Sequence, residues 1–109
     1  MNLTSFVQGK KLTVALKGEI DHHSAKETMR IVGGKIDQYL PSLCVLDFRD
    51  VTFMDSSGIA LVISALRRMR ELGGRTILCS VPPQPMKVLH ASGMEQIIEI
   101  EERSLQYEM

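Results

Sequence analysis

Leu43-Cys44-Val45-Leu46-Asp47-Phe48 runs, two residues later, into Val51-Thr52-Phe53-Met54-Asp55-Ser56-Ser57-Gly58-Ile59, and this stretch carries the architecture of the chain. The first six residues are nearly all apolar, the pattern of a central strand buried on both faces. Val51-Thr52-Phe53 reads as a short extended return. The apolar spacing then changes. Ile59, Val62, Ile63, Leu66 and Met69 fall at helical intervals, which predicts a helix from about Ser57 to Leu72. Arg67, Arg68, Arg70 and Glu71 lie mainly on its wet side, and Gly73-Gly74 supplies the stop.

Upstream, Leu3 to Val7 and Leu12 to Leu16 are strand candidates joined by a hairpin turn at Gln8-Gly9-Lys10-Lys11. Gly18-Glu19-Ile20-Asp21 breaks that pattern. Ser24 with Glu27 three residues on is a capping-box pair, so a helix is expected from about Ala25 to Tyr39. Met29, Val32, Ile36 and Tyr39 or Leu40 form its apolar stripe, and Pro41 ends it. Gly33-Gly34 in its middle has no evident cause beyond close packing or a kink. Downstream, Thr76 to Cys79 is a buried strand, and Pro82-Pro83 forbids continuing its ladder. A short helix carrying Met86, Val88, Leu89 and Ala91 stops at Ser92-Gly93. Gln96 to Ile100 is a last strand, and Glu101 to Met109 a terminal helix with Leu105 and Tyr107. Strands alternating with helices, in the order β-β-α-β-α-β-α-β-α, predict an α/β fold. It has a mixed, mostly parallel sheet of about four or five strands, about four helices and right-handed crossovers. The hairpin supplies one antiparallel edge. The length of 109 residues predicts a single domain spanning residues 1–109.

Composition narrows the functions open to such a domain. Net charge is zero and Trp is absent, so neither a nucleic-acid field nor a base-stacking platform is expected. No apolar run approaches the ~20 residues of a membrane span, and no signal peptide opens the chain, so a cytoplasmic protein is expected. Cys44 and Cys79 sit inside apolar runs without metal-ligand spacing, which predicts buried thiols and no metal site.

Asp55-Ser56-Ser57-Gly58 lies where a strand end feeds a helix N-terminus, the place where sites gather in α/β sheets. A hydroxyl there either caps the helix or reacts. Asp and Ser are both favoured caps, each worth about 1 kcal/mol, so capping is the plain reading of the tetrapeptide. Gly58 is expected to leave the approach to the hydroxyls uncluttered. Neither a phosphate-binding Gly-x-x-x-x-Gly-Lys-Ser/Thr loop nor a Gly-x-Ser-x-Gly elbow is present. A hydrolase built from Ser56 with Asp21 and His22 or His23 would need these residues to converge. His22 and His23 are adjacent, and adjacent side chains diverge on regular elements, which argues against a metal pair.

Four segments in register change the weighting: Gly18-Glu19-Ile20-Asp21-His22-His23-Ser24-Ala25, Phe53-Met54-Asp55-Ser56-Ser57-Gly58-Ile59, Gly73-Gly74, and Ala91-Ser92-Gly93-Met94. Together they resemble the STAS-domain anti-sigma factor antagonists, most of all the sporulation branch that acts on the anti-sigma F factor. The resemblance implies a STAS fold and a protein that is no enzyme. It implies phosphorylation at Ser56 by a partner anti-sigma factor serine kinase, which supplies the ATP and magnesium, so no cofactor is expected on this chain. A PPM-type serine phosphatase resets the switch. The unphosphorylated form binds the anti-sigma factor and frees the sigma factor; the phosphorylated form lets go. The partner surface is expected around Asp21, His22, His23, Ser24, Asp55, Ser56, Ser57, Gly58 and Ile59, on a chain that is monomeric when free and contacts neither nucleic acid nor membrane directly. A STAS scaffold or sensor module of another signalling complex is the alternative. Arg67, Arg68 and Arg70 read as a solvated helix face.

Overall fold

Alternating apolar strands and amphipathic helices assemble, in a computed structural model describing residues 2–101, into one five-stranded sheet with helices packed on it. The elements are β1 (Asn2–Gln8), β2 (Lys11–Ile20), α1 (Ala25–Tyr39), β3 (Leu43–Met54), α2 (Ser57–Glu71), β4 (Arg75–Cys79), α3 (Pro83–Ala91) and β5 (Glu99–Glu101). A 3₁₀ turn at Met94–Gln96 precedes β5. The strand order is β1-β2-β3-β4-β5; β1 is antiparallel to β2 and every other pair is parallel. The mixed, mostly parallel α/β sheet with an antiparallel hairpin edge is therefore as the sequence predicts. Three helices lie among the described residues. The terminal helix expected over Glu101 to Met109 falls, beyond Glu101, outside them, and Glu101 itself belongs to β5.

Several boundaries move, each for a physical reason. Gly18 does not end β2; it takes φ 96° at an irregularity of the β2–β3 pairing, and the strand continues to Ile20. The central strand and its expected short return are one strand, β3, of twelve residues. Its pairing with β2 slips by one residue between Asp47 and Asp50 and again between Val51 and Phe53. At the first slip the Asp47 carboxylate accepts the N–H of Arg49 at 3.0 Å. Such bulges insert a residue without ending the strand. They reset the alternation, so that Phe48, Val51 and Met54, three apart, all face the core. The last strand runs from Glu99, shorter than the expected Gln96 to Ile100, because Met94–Gln96 coil into the 3₁₀ turn.

The main core joins Leu12, Val14, Leu16, Cys44, Leu46, Phe48 and Leu78 of the sheet to Val32 and Ile36 of α1 and Leu61, Val62, Ala65, Leu66 and Met69 of α2. The buried stripe of α2 thus includes Leu61 and Ala65, while Ile59 and Ile63 are only partly covered. Tyr39 and Leu40 stand exposed rather than closing the α1 stripe. Gly33 has a role in packing: a Cβ there would meet the Arg68 guanidinium at 2.7 Å, where Arg68 crosses from α2 to pair with Asp37 on α1 at 2.7 Å. Nothing lies within 4 Å of a Cβ at Gly34. Cys44 and Cys79 are buried, and burial pushes the Cys44 thiol up to about 12.

Candidate functional site

Two strand-to-helix turns emerge side by side at the carboxyl ends of β2 and β3. Ile20 pairs with Met54, and the N–H of Asp55 donates to the Ile20 carbonyl at 3.1 Å. In each turn the first residue after the strand is an aspartate, and in each it meets the orphan N–H groups of the helix start.

In the first turn, Asp21 Oδ1 accepts the N–H of His23 at 2.9 Å and that of Ser24 at 3.0 Å. Those donors, Ser24 foremost, hold the Asp21 carboxyl below its ordinary value despite partial desolvation. The expected capping box does not form. Ser24 is already helical, with φ −94° and ψ −24°, and its side chain caps nothing. Its hydroxyl donates back to the Glu19 carbonyl at 3.0 Å and accepts the Asp21 N–H at 3.1 Å. Glu27 pairs with Arg30 instead, at 2.6 Å.

In the second turn, Asp55 Oδ1 accepts the N–H of Ser57 at 2.7 Å, and its carbonyl accepts the N–H of Gly58 at 3.0 Å. Asp55 is therefore the side-chain cap of α2. Ser56 is exposed, helical at φ −64° and ψ −15°, and its hydroxyl has no hydrogen-bond partner among the described residues. Ser57 is half-buried. The capping interpretation of Asp55-Ser56-Ser57 thus holds for the aspartate and releases both serines.

The turn is held from below. A Cβ at Gly58 would overlap Met54 Cγ and Sδ, so this glycine lets α2 sit directly on the Met54 side chain. Its part is close packing rather than clearing the approach to the hydroxyls. From the far side, Gln84 of α3 grips the same residue: Oε1 accepts the Met54 N–H at 2.8 Å, and Nε2 donates to the Met54 carbonyl at 2.9 Å. Gln84 escaped the sequence reading, because nothing local marks a residue whose partner lies thirty positions away.

His22 and His23 are exposed with their rings edge to face, centroids 5.7 Å apart. They share an open depression with Lys26, Met29, Ser57 and Ala60, so the first turns of α1 and α2 border one surface. Ile59 flanks it half-buried. Among the described residues no cluster of three or more His, Cys, Asp or Glu side chains forms a metal-binding group. No described helix is long and apolar enough to cross a membrane. Chemically, the surface offers an accessible hydroxyl at a helix N-terminus, flanked by two carboxylates that are already engaged with backbone donors.

Comparison with known proteins gives this geometry a context. The family model described as STAS domain matches residues 4–105. The anti-sigma F factor antagonist of Lysinibacillus sphaericus is 32% identical over 88 residues, covering 81% of this chain and 75% of that protein. Among solved structures, the anti-sigma factor antagonist SpoIIAA in its unphosphorylated form superposes with TM-score 0.79 at 29% identity, over 91% of this chain and 87% of that one. SpoIIAA of Bacillus in the phosphorylated form gives TM-score 0.70 at 29% identity, over 91% and 90%.

Proposed function

We propose, since this chain belongs to the STAS-domain family, that it is an anti-sigma factor antagonist whose binding is switched off by phosphorylation at Ser56. One observation carries the choice of residue: Asp55 caps α2, which leaves the Ser56 hydroxyl exposed and without a partner among the described residues. The antagonist relative from Lysinibacillus sphaericus and the two phosphorylation states of SpoIIAA support the class of function.

The reading is a regulatory protein, acted upon and no enzyme itself. It works as one STAS domain, in the cytoplasm and as a monomer when free. An anti-sigma factor serine kinase brings ATP and magnesium, and a PPM-type serine phosphatase reverses the modification. The sigma factor released is sigma F. The partner surface is the pair of adjoining turns, Asp21 to Ser24 and Asp55 to Ile59.

The physics favours a switch without refolding. Phosphate adds about −1.5 to −2 charge. The N-terminal end of α2 tolerates that charge through its dipole. The Asp55 carboxylate already occupies the Ser57 N–H, and Asp21 lies at the head of the neighbouring turn, so the new anion adds to negative charge already there. An interface built over these turns loses affinity through like charge and desolvation, which can cost several kcal/mol.

The test uses the anti-sigma F factor that the Lysinibacillus sphaericus relative antagonises, with ATP and magnesium, and maps phosphate by mass spectrometry. Phosphate is expected at Ser56. Ser56→Ala should bind persistently and resist modification. Modification at Ser57 alone would overturn the site. An unmodified protein that binds no anti-sigma factor would point to a scaffold in another complex.

A further inference from the structure

We infer that Gln84 is a positioning residue for Ser56: its side-chain amide stands in for a missing strand and sets the height at which the phosphoacceptor turn leaves the sheet. The inference rests on the proposed role of Ser56.

β4 pairs with β3 only as far as Asp47 opposite Cys79. Beyond that point, on its β4 side, β3 has no strand neighbour from Phe48 to Met54. An edge left with unpaired N–H and C=O groups frays or bends. At Met54, the residue immediately before Asp55 and Ser56, Gln84 satisfies both groups at 2.8 and 2.9 Å. Opposite, Met54 is in register with Ile20. The last residue of β3 is therefore gripped on both sides.

The grip is built to be rigid. Pro82, Pro83 and Pro85 surround Gln84 and fix three of the four neighbouring φ angles. Pro85 and Leu89 are buried and anchor α3. Little backbone entropy is then lost in presenting the side chain, because the prolines already restrict the chain that carries it. Glutamine is required by the pattern, since one group must donate and the other accept. An ionised glutamate presents only acceptors and would face the Met54 carbonyl with a second oxygen.

Phosphoryl transfer depends on placing the attacking hydroxyl, and a misplacement near 1 Å can cost about a hundredfold. Gln84 bonds to the Met54 backbone and makes no hydrogen bond to the Ser56 hydroxyl, so its effect is on placement. Gln84→Ala and Gln84→Glu are compared with Ile36→Val, a core change on α1 away from the turn, with the unfolding stability of all three measured. The readouts are kcat and KM for phosphorylation by the anti-sigma F factor kinase, and hydrogen exchange of the Met54 to Ser57 amides. Both Gln84 variants should lower kcat about tenfold and speed exchange at those amides, with Ile36→Val near wild type in both. Wild-type exchange at those amides in Gln84→Ala overturns the clamp, whatever the kinase does. Faster exchange with unchanged kcat overturns the positioning role and leaves the assignment of Ser56 intact. A wild-type protein that is not phosphorylated overturns the functional reading and, with it, this role.

Discussion

The turns at Asp21 and Asp55 lead from neighbouring parallel strands into neighbouring helices, and each begins with an aspartate that caps. They differ in what happens to the serine. In the first, Ser24 sits three residues after the aspartate, and its hydroxyl is turned inward to Glu19 and Asp21. In the second, Ser56 follows the aspartate directly, and its hydroxyl is left to solvent. Two serines at helix starts thus have opposite availability, and the difference comes from their distance to the capping carboxylate. A serine at a helix N-terminus is a candidate for modification when another residue has taken the donors.

The comparison can be broken most directly by charge. Ser56→Asp should weaken binding of the anti-sigma factor more than tenfold, a loss above 1.4 kcal/mol. Ser24→Asp should instead lower stability by disturbing the Glu19 contact, and mass spectrometry should find no phosphate on wild-type Ser24. Phosphate on both serines would erase the distinction between the turns.

Packing beneath the second turn gives the next effect. Gly58→Ala forces Met54 aside and should cost about 1–3 kcal/mol in urea unfolding. Gly34→Ala, in open space on α1, should stabilise by about 1 kcal/mol through helix propensity. An equal response at the two positions would contradict the close approach of α2 to β3.

The caps follow. Asp55→Ala should cost about 1 kcal/mol, and Asp21→Ala more than that, because Asp21 accepts two backbone N–H groups to one for Asp55. The reverse order would show that Ser24 shares the capping after all. The smallest effect is on pH. The folded Asp21 carboxyl is held below its ordinary value by the Ser24 and His23 donors. Its contribution is present above the unfolded pKa, about 3.9, and is lost as pH falls through the lower folded value. Amide shifts of His23 and Ser24 should move in that acid range, and Asp21→Asn should abolish the movement.

Alternation of strand and helix was legible because it is a local pattern, written in the spacing of residues such as Leu43 to Phe48 and Ile59 to Met69. The junction where a strand end feeds a helix at Asp55 to Gly58 was legible for the same reason. Which residue in Asp55-Ser56-Ser57 performs the capping was not, since Asp and Ser are near equals as caps and only geometry separates them. The two bulges of β3 were illegible because a bulge exists only relative to a partner strand. Arg49 and Asp50, which lie between the expected central strand and its expected return, are polar residues riding an uninterrupted strand. Gln84 and the Arg68–Gly33 contact depend on side chains meeting across elements, which no periodicity records.

Because each strand pairs with the strand next to it in sequence, the sheet can be laid down in the order in which a ribosome delivers it. Each parallel pairing closes only the crossover to the next strand, so the sheet can grow strand by strand during synthesis. The hairpin, β3 and the Asp55 turn can form early, whereas Gln84 reaches Met54 only after α3 has emerged. The Asp55 turn is therefore finished among the last steps, since a chain that ends before α3 lacks the Gln84 contact at Met54. With Ser56 phosphorylated as proposed, a kinase that reads the secured turn would act on completed molecules, and folding status would enter the signal before any phosphate does.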